Sequence, residues 1–231
     1  MRCSRRLLSV ASMILICAAC QREPATAAAD TAPPDPAAAS TPAQAPANGT
    51  LHWSSAVVWS GDLNSCRQGQ AAATRECLIK AMQAGGASAD AVTAAEQLSS
   101  GGELAYVTAW HGQQGVGVAT VNYPFRANTN EGTRLIDASG KRIDVDNVQL
   151  DDTLRADPGV QAMLKADPQA MPFAPAQAAG TTPLDGGGVR LLYRTPLREC
   201  HACADVGNVQ IGYDFDARRN FTGQQLVPVA P

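Results

Sequence analysis

Apolar and polar positions alternate differently in successive parts of this chain. Leu7 to Ile16 is a short apolar run behind three arginines. Residues 21–49 have almost no large apolar side chain and are nearly all Ala, Pro, Thr, Gln, Asp and Ser. From Leu51 the pattern becomes that of a folded domain. Leu51–Trp59 (LHWSSAVVW) is apolar, aromatic and β-branched, which predicts a strand. Gln70–Ala84 carries Leu78, Ile79, Ala81 and Met82 at helical spacing, and Gly85-Gly86 closes it. Ser88 is placed to cap a second helix reaching Leu98, with Asp90 at its positive end and Gly101-Gly102 beyond it.

Period-two runs follow. Glu103–His111, Gly115–Tyr123 and Thr133–Asp137 read as strands, and Ala138–Lys141 as a hairpin turn into a strand over Arg142–Gln149. Leu154–Pro158 (LRADP) is echoed by Leu164–Pro168 (LKADP). The echo reads as helix punctuation, with Asp157 as a cap and Pro158 in the first turn, where a missing N–H costs nothing. Residues 168–187, rich in Pro, Ala and Gly, read as an irregular connection. Val189–Thr195, Asn208–Asp216 and Phe221–Val229 complete the strands, with Val209, Ile211, Tyr213 and Phe215 on one face. The fold class is α+β, with N-terminal helices and a mainly antiparallel sheet.

The apolar run at the start changes the picture of the whole. Arg2, Arg5 and Arg6 precede it and small residues follow, the layout of a secretory leader. It is too short to span a bilayer, which takes about 20 apolar residues. The stretch Cys17-Ala18-Ala19-Cys20 resembles the lipobox of bacterial lipoproteins, with Cys17 where that family usually has Leu. The resemblance implies cleavage before Cys20 and diacylglycerol on its thiol. Gln21, not Asp, then implies the outer membrane, facing the periplasm. The expected organisation is a leader over 1–19, an Ala/Pro-rich tether over 20–50 and an α+β domain over 51–231. If that domain divides, it does so near 168–187.

Charge narrows the partners. Without the leader's arginines the chain has six more acidic than basic residues. That balance argues against nucleic acid, because phosphate contacts need Lys and Arg. Aromatics are 5% of the chain, so its cores are expected to rest on Val, Leu, Ile and Ala.

The seven cysteines sort by position. Cys3 and Cys17 leave with the leader and Cys20 takes lipid. Cys66, Cys77, Cys200 and Cys203 remain, an even count that reads as two disulfides in an oxidising compartment. Three pairings are open, of which Cys66–Cys77 with Cys200–Cys203 is the simplest. Cys200-His201-Ala202-Cys203 is the most chemically suggestive motif. A c-type haem needs His directly after the second cysteine, where Ala204 stands. Zinc would need ligands from elsewhere. Thiol–disulfide catalysis needs a helix N-terminus beside the attacking thiol, and Gly207 and the strand after it argue against one.

Residues about 189–223 resemble the hairpin of the Ivy-type periplasmic lysozyme inhibitors. The resemblance rests on Tyr193-Arg194-Thr195, the Cys200–Cys203 loop, the strand Val209–Phe215 and Gly223. The loop is two residues shorter than the family's and lacks its Lys-Pro. The resemblance implies that His201 plugs an enzyme's acidic cleft. Tyr123–Gly132 is a second candidate for recognition. Tyr123, Phe125, Arg126, Asn128 and Asn130 are of types that make contacts at binding surfaces. His52 and His111 are isolated, and no Gly-x-Ser-x-Gly or His-Glu-x-x-His occurs. The sequence therefore predicts a non-enzymatic envelope lipoprotein without metal or cofactor. It would bind a protein or envelope component, with lysozyme inhibition and redox catalysis as the alternatives.

Overall fold

A computed structural model describes residues 51–67 and 74–228. The leader, Cys20 and the tether lie outside the described residues. The helices are α1 (Asn64–Arg67), α2 (Arg75–Ala84), α3 (Ala89–Leu98), α4 (Asp152–Ala156) and α5 (Pro158–Ala166). The strands are β1 (Tyr106–Gln113), β2 (Val116–Asn122), β3 (Glu131–Ile136), β4 (Arg142–Asp144), β5 (Met171–Pro172), β6 (Gln177–Pro183), β7 (Val189–Arg198), β8 (Gly207–Phe215) and β9 (Phe221–Leu226). The protein is α+β, with two antiparallel sheets. One is the meander β1-β2-β3-β4. The other runs β5-β7-β8-β9, with β6 also pairing β7.

Both faces of the first sheet are covered. Val116, Val118, Leu135 and Ile143 point to the second sheet and meet Leu191, Tyr193, Ile211, Tyr213 and Phe215 in one cluster. Val107, Ala119 and Ile136 point the other way, onto Leu51, Trp53, Val57 and Ala94 of α3. The result is three layers: helices, sheet, sheet. The first cluster joins residues from both sides of 168–187. The few aromatics are concentrated inside, and Trp53, Tyr213 and Phe215 are among the largest fully buried side chains. The core therefore rests on aromatics more than composition suggests.

Local chemistry explains the helix boundaries. Thr74 caps α2 by accepting from the Cys77 N–H, Ser88 caps α3 through Ala91, and Asp157 caps α5 through Gly159 and Val160 with Pro158 in the first turn. Residues 70–73 of the helix read from the sequence lie outside the described residues. Gln114 and Gly115, both at positive φ, form the two-residue turn between β1 and β2.

Three expectations are corrected. Leu51–Trp59 is not a strand: Ser54 caps a single 3₁₀ turn at Ser55–Val57, and only Val58 bridges to Val107. Its apolar residues serve as a lid on the first sheet. The strand expected over Arg142–Gln149 stops at Asp144. Residues 168–187 hold β5 and β6, because this stretch pairs through its backbone along the edge of β7. Strand β6 has no buried face, so no hydrophobic alternation announces it.

Candidate functional site

Antiparallel pairing sends the loops to two opposite ends of the sandwich. One end holds the β1–β2, β3–β4, β6–β7 and β8–β9 turns. Asp137 is 4% exposed there. Its Oδ1 accepts from Ser139 N, Ser139 Oγ and Lys141 N, and its Oδ2 accepts from Phe221 N of the other sheet at 3.0 Å. Burial pushes this carboxyl up, but those donors outweigh it and hold the group below the ordinary range. Arg219 donates to Gln114 O and Gly187 O, so one guanidinium ties three turns. This is a closed end, where Asp137 and Arg219 bond to the protein's own turns.

At the opposite end lie the β2–β3 loop and the β7–β8 turn. The loop closes where Tyr123 N donates to Asn130 O at 2.6 Å. Tyr123 is buried, and its ring lies 3.5 Å beneath the Arg126 guanidinium. Its hydroxyl accepts from Arg134 at 2.5 Å. Burial pushes the Tyr123 phenol up. Arg126 forms a two-pronged ion pair with Glu103 and donates to Thr129 O. That pairing holds the Glu103 carboxyl below its ordinary value and raises Arg126. The Asn130 amide donates to Arg126 O. Tyr123, Arg126 and Asn130 therefore set the shape of the loop. Phe125 is half-buried. Asn128 is exposed and makes no side-chain hydrogen bond among the described residues.

The cysteines pair as Cys66–Cys77 and Cys200–Cys203. The first joins α1 to α2. The second closes the turn between β7 and β8, with Cys200 and His201 exposed. The chain runs from this turn into β8, so the turn leads into a strand. Arg198 and Asp205 form an ion pair across its base. The His201 ring stands edge-on to Phe173, with centroids 5.2 Å apart.

Phe173 belongs to the segment that joins the two candidate regions. Its N–H donates to Pro196 O. Ala174 O accepts from Thr129 of the β2–β3 loop at 3.5 Å. Ala176 N donates to Asp146 Oδ1 at 2.6 Å, while Asp146 Oδ2 accepts from Thr133 N at 2.6 Å. Residues 173–176 thus hold the β7–β8 turn and the β2–β3 loop beside one another. A cavity of about 250 Å³ opens here, lined by Tyr123, Arg126, Glu131, Asp144, Asp146 and Ala174 among others. Burial raises the Asp146 carboxyl, opposed by the N–H groups of Ala176 and Thr133. Asp144 pairs with Arg134.

Asp146 and the 173–176 segment were not visible as site residues in the sequence. Asp146 acts through backbone N–H groups 13 and 30 residues away, which carry no side-chain signature. An apolar groove of about 590 Å³ lies between α5 and the start of β8, lined by Val160, Met163, Val209 and Leu226 among others. Met163 abuts Gly207 at the foot of the β7–β8 turn. Among the described residues, no group of three His, Cys, Asp or Glu side chains could hold a metal ion. No helix among them is long and apolar enough to cross a membrane. No protein-family model, curated protein or solved structure matches this chain.

Proposed function

We propose that this chain is a non-enzymatic lipoprotein of the bacterial envelope, anchored through Cys20, that binds a protein or envelope component with the open end of its sandwich. One observation carries the binding face: the Phe173–Ala176 segment touches both His201 and the β2–β3 loop, so two regions about 75 residues apart form one surface. Met171, a large apolar side chain 52% exposed, lies two residues before Phe173.

Two measurements test this reading. Peptide mapping of protein taken from the cell envelope should find diacylglycerol on Cys20; an unacylated, uncleaved N-terminus contradicts the anchor. Photo-crosslinkers placed at Asn128 and at His201 should capture the same partner, and one at Arg218 of the closed end should not. Capture of different partners from 128 and 201 contradicts a shared face.

A second reading is inhibition of a lysozyme-like hydrolase. It is favoured by the exposed His201 between two bonded cysteines at a hairpin tip. It expects the purified protein to slow lysozyme and His201→Ala to relieve the effect. A wild-type protein without effect on lysozyme removes it.

A further inference from the structure

The two disulfides sit in opposite surroundings. Cys66–Cys77 joins α1 to α2, with Cys66 fully buried and Cys77 half-buried, so neither residue is as open to a reductant as Cys200. Cys200–Cys203 closes a small ring at the tip of the β7–β8 hairpin. Cys200, His201 and Ala202 are exposed there and Cys203 is half-buried. Thiol–disulfide exchange needs access to a sulfur, and exposed disulfides are the labile and regulatory ones. The strands do not depend on this bond. Beneath the ring the Val206 N–H donates to Leu197 O at 2.9 Å, and Arg198 pairs with Asp205. Phe173 is held independently, its N–H donating to Pro196 O at 2.9 Å. His201 lies inside the ring, so the bond sets where its imidazole stands: edge-on to Phe173 with centroids 5.2 Å apart.

We propose that Cys200–Cys203 is a reversible exchange site for a dithiol, with Cys200 Sγ as the sulfur attacked, and that its opening releases His201 from Phe173. One thiolate of the dithiol bonds to Cys200 Sγ; the Cys200–Cys203 bond breaks, and Cys203 leaves as a thiolate. The second thiol of the dithiol, deprotonated, then bonds to its own partner sulfur and expels Cys200 as a thiolate. The dithiol is oxidised to its disulfide and the protein pair is reduced by two electrons. The two protons given up by the dithiol pass through water to Cys200 and Cys203. A disulfide under attack needs access, not an activated thiol, so the lack of a helix N-terminus at Cys200 does not hinder it. Once the ring is open, the turn regains backbone freedom that a single edge-on aromatic contact at an exposed site does not offset. That this release alters partner binding rests on the proposed function; the exchange itself does not.

The test is alkylation of the purified, folded protein after equilibration with graded dithiothreitol, followed by peptide mapping. Cys200 and Cys203 should become alkylated at dithiothreitol concentrations about tenfold or more below those that expose Cys66 and Cys77. A thioredoxin whose resolving cysteine is replaced by serine should be trapped as a mixed disulfide on Cys200. In the reduced protein the Overhauser cross-peaks between His201 and Phe173 should vanish, while the β7–β8 ladder persists, and reoxidation should restore them. The proposal is overturned if Cys200–Cys203 opens only together with Cys66–Cys77, if no adduct forms on Cys200, or if the His201–Phe173 cross-peaks survive reduction. None of these readouts needs a partner, so failed partner capture beside a labile bond contradicts the binding face alone.

Discussion

The two ends of the sandwich are built from the same kinds of residue and reach opposite outcomes. At the closed end Asp137 and Arg219 spend their hydrogen-bonding capacity on backbone groups of neighbouring turns. At the open end Asp146, Arg126 and Tyr123 do similar work, but they support a loop and a strap around a cavity. Asn128 and His201 are left facing solvent. The difference teaches that polar residues near a loop are not the loop's recognition groups by default. Here most of them shape the loop, and the groups free to touch a partner are the ones with no internal bond.

The largest effect should come from the closed end. Asp137→Ala removes an acceptor from four donors, two of them backbone N–H groups in the turn and one in the other sheet. It should lower the unfolding free energy by about 3 kcal/mol in a denaturant titration. A loss near zero would mean that the sheets are joined by apolar packing alone. Arg219→Ala should cost less, about 1–2 kcal/mol, because its guanidinium is partly hydrated and its acceptors can turn to water.

Acid should separate the two ends by sign. The Asp137 carboxyl is lowered in the fold, so its stabilisation is complete above the unfolded value, about 4, and is lost as pH falls through the folded one. The Asp146 carboxyl is raised, so the folded state binds its proton first, and the protein gains stability from it as pH falls towards about 4. The stability of wild type relative to Asp137→Asn should therefore shrink on acidification below about pH 4. Relative to Asp146→Asn it should grow as pH falls towards that value. Curves of the same sign would erase the contrast between the ends. The smallest effect on stability is expected from His201→Ala, within about 0.5 kcal/mol, since the side chain is exposed and contacts Phe173 at one edge. Its effect should instead appear in partner capture.

How much of this was readable from the sequence follows from where each signal resides. Caps at Ser88 and Asp157 sit beside the residues they cap, and both were legible. Strand β8 alternates cleanly because one of its faces is packed against the other sheet, and it too was legible. Strand β6 was missed because all it contributes is backbone pairing to β7. Leu51–Trp59 carries strand-like composition, but its residues are apolar because they cover a sheet, not because they join one. At the candidate site, His201 was named from its Cys-His-Ala-Cys motif and a family resemblance, and the β2–β3 loop from local composition. Their meeting through Phe173–Ala176 was not, since Phe173 and Ala174 are ordinary residues in a Pro- and Ala-rich stretch. Only the tertiary fold gives them neighbours.

The central claim is that the β7–β8 turn and the β2–β3 loop are held together by residues 173–176. Nuclear Overhauser spectroscopy in solution tests it most directly. Cross-peaks are predicted between the His201 imidazole and Phe173 ring protons, and between Thr129 and Ala174. A well-dispersed spectrum with the β7–β8 ladder intact but neither set of cross-peaks would contradict the shared face.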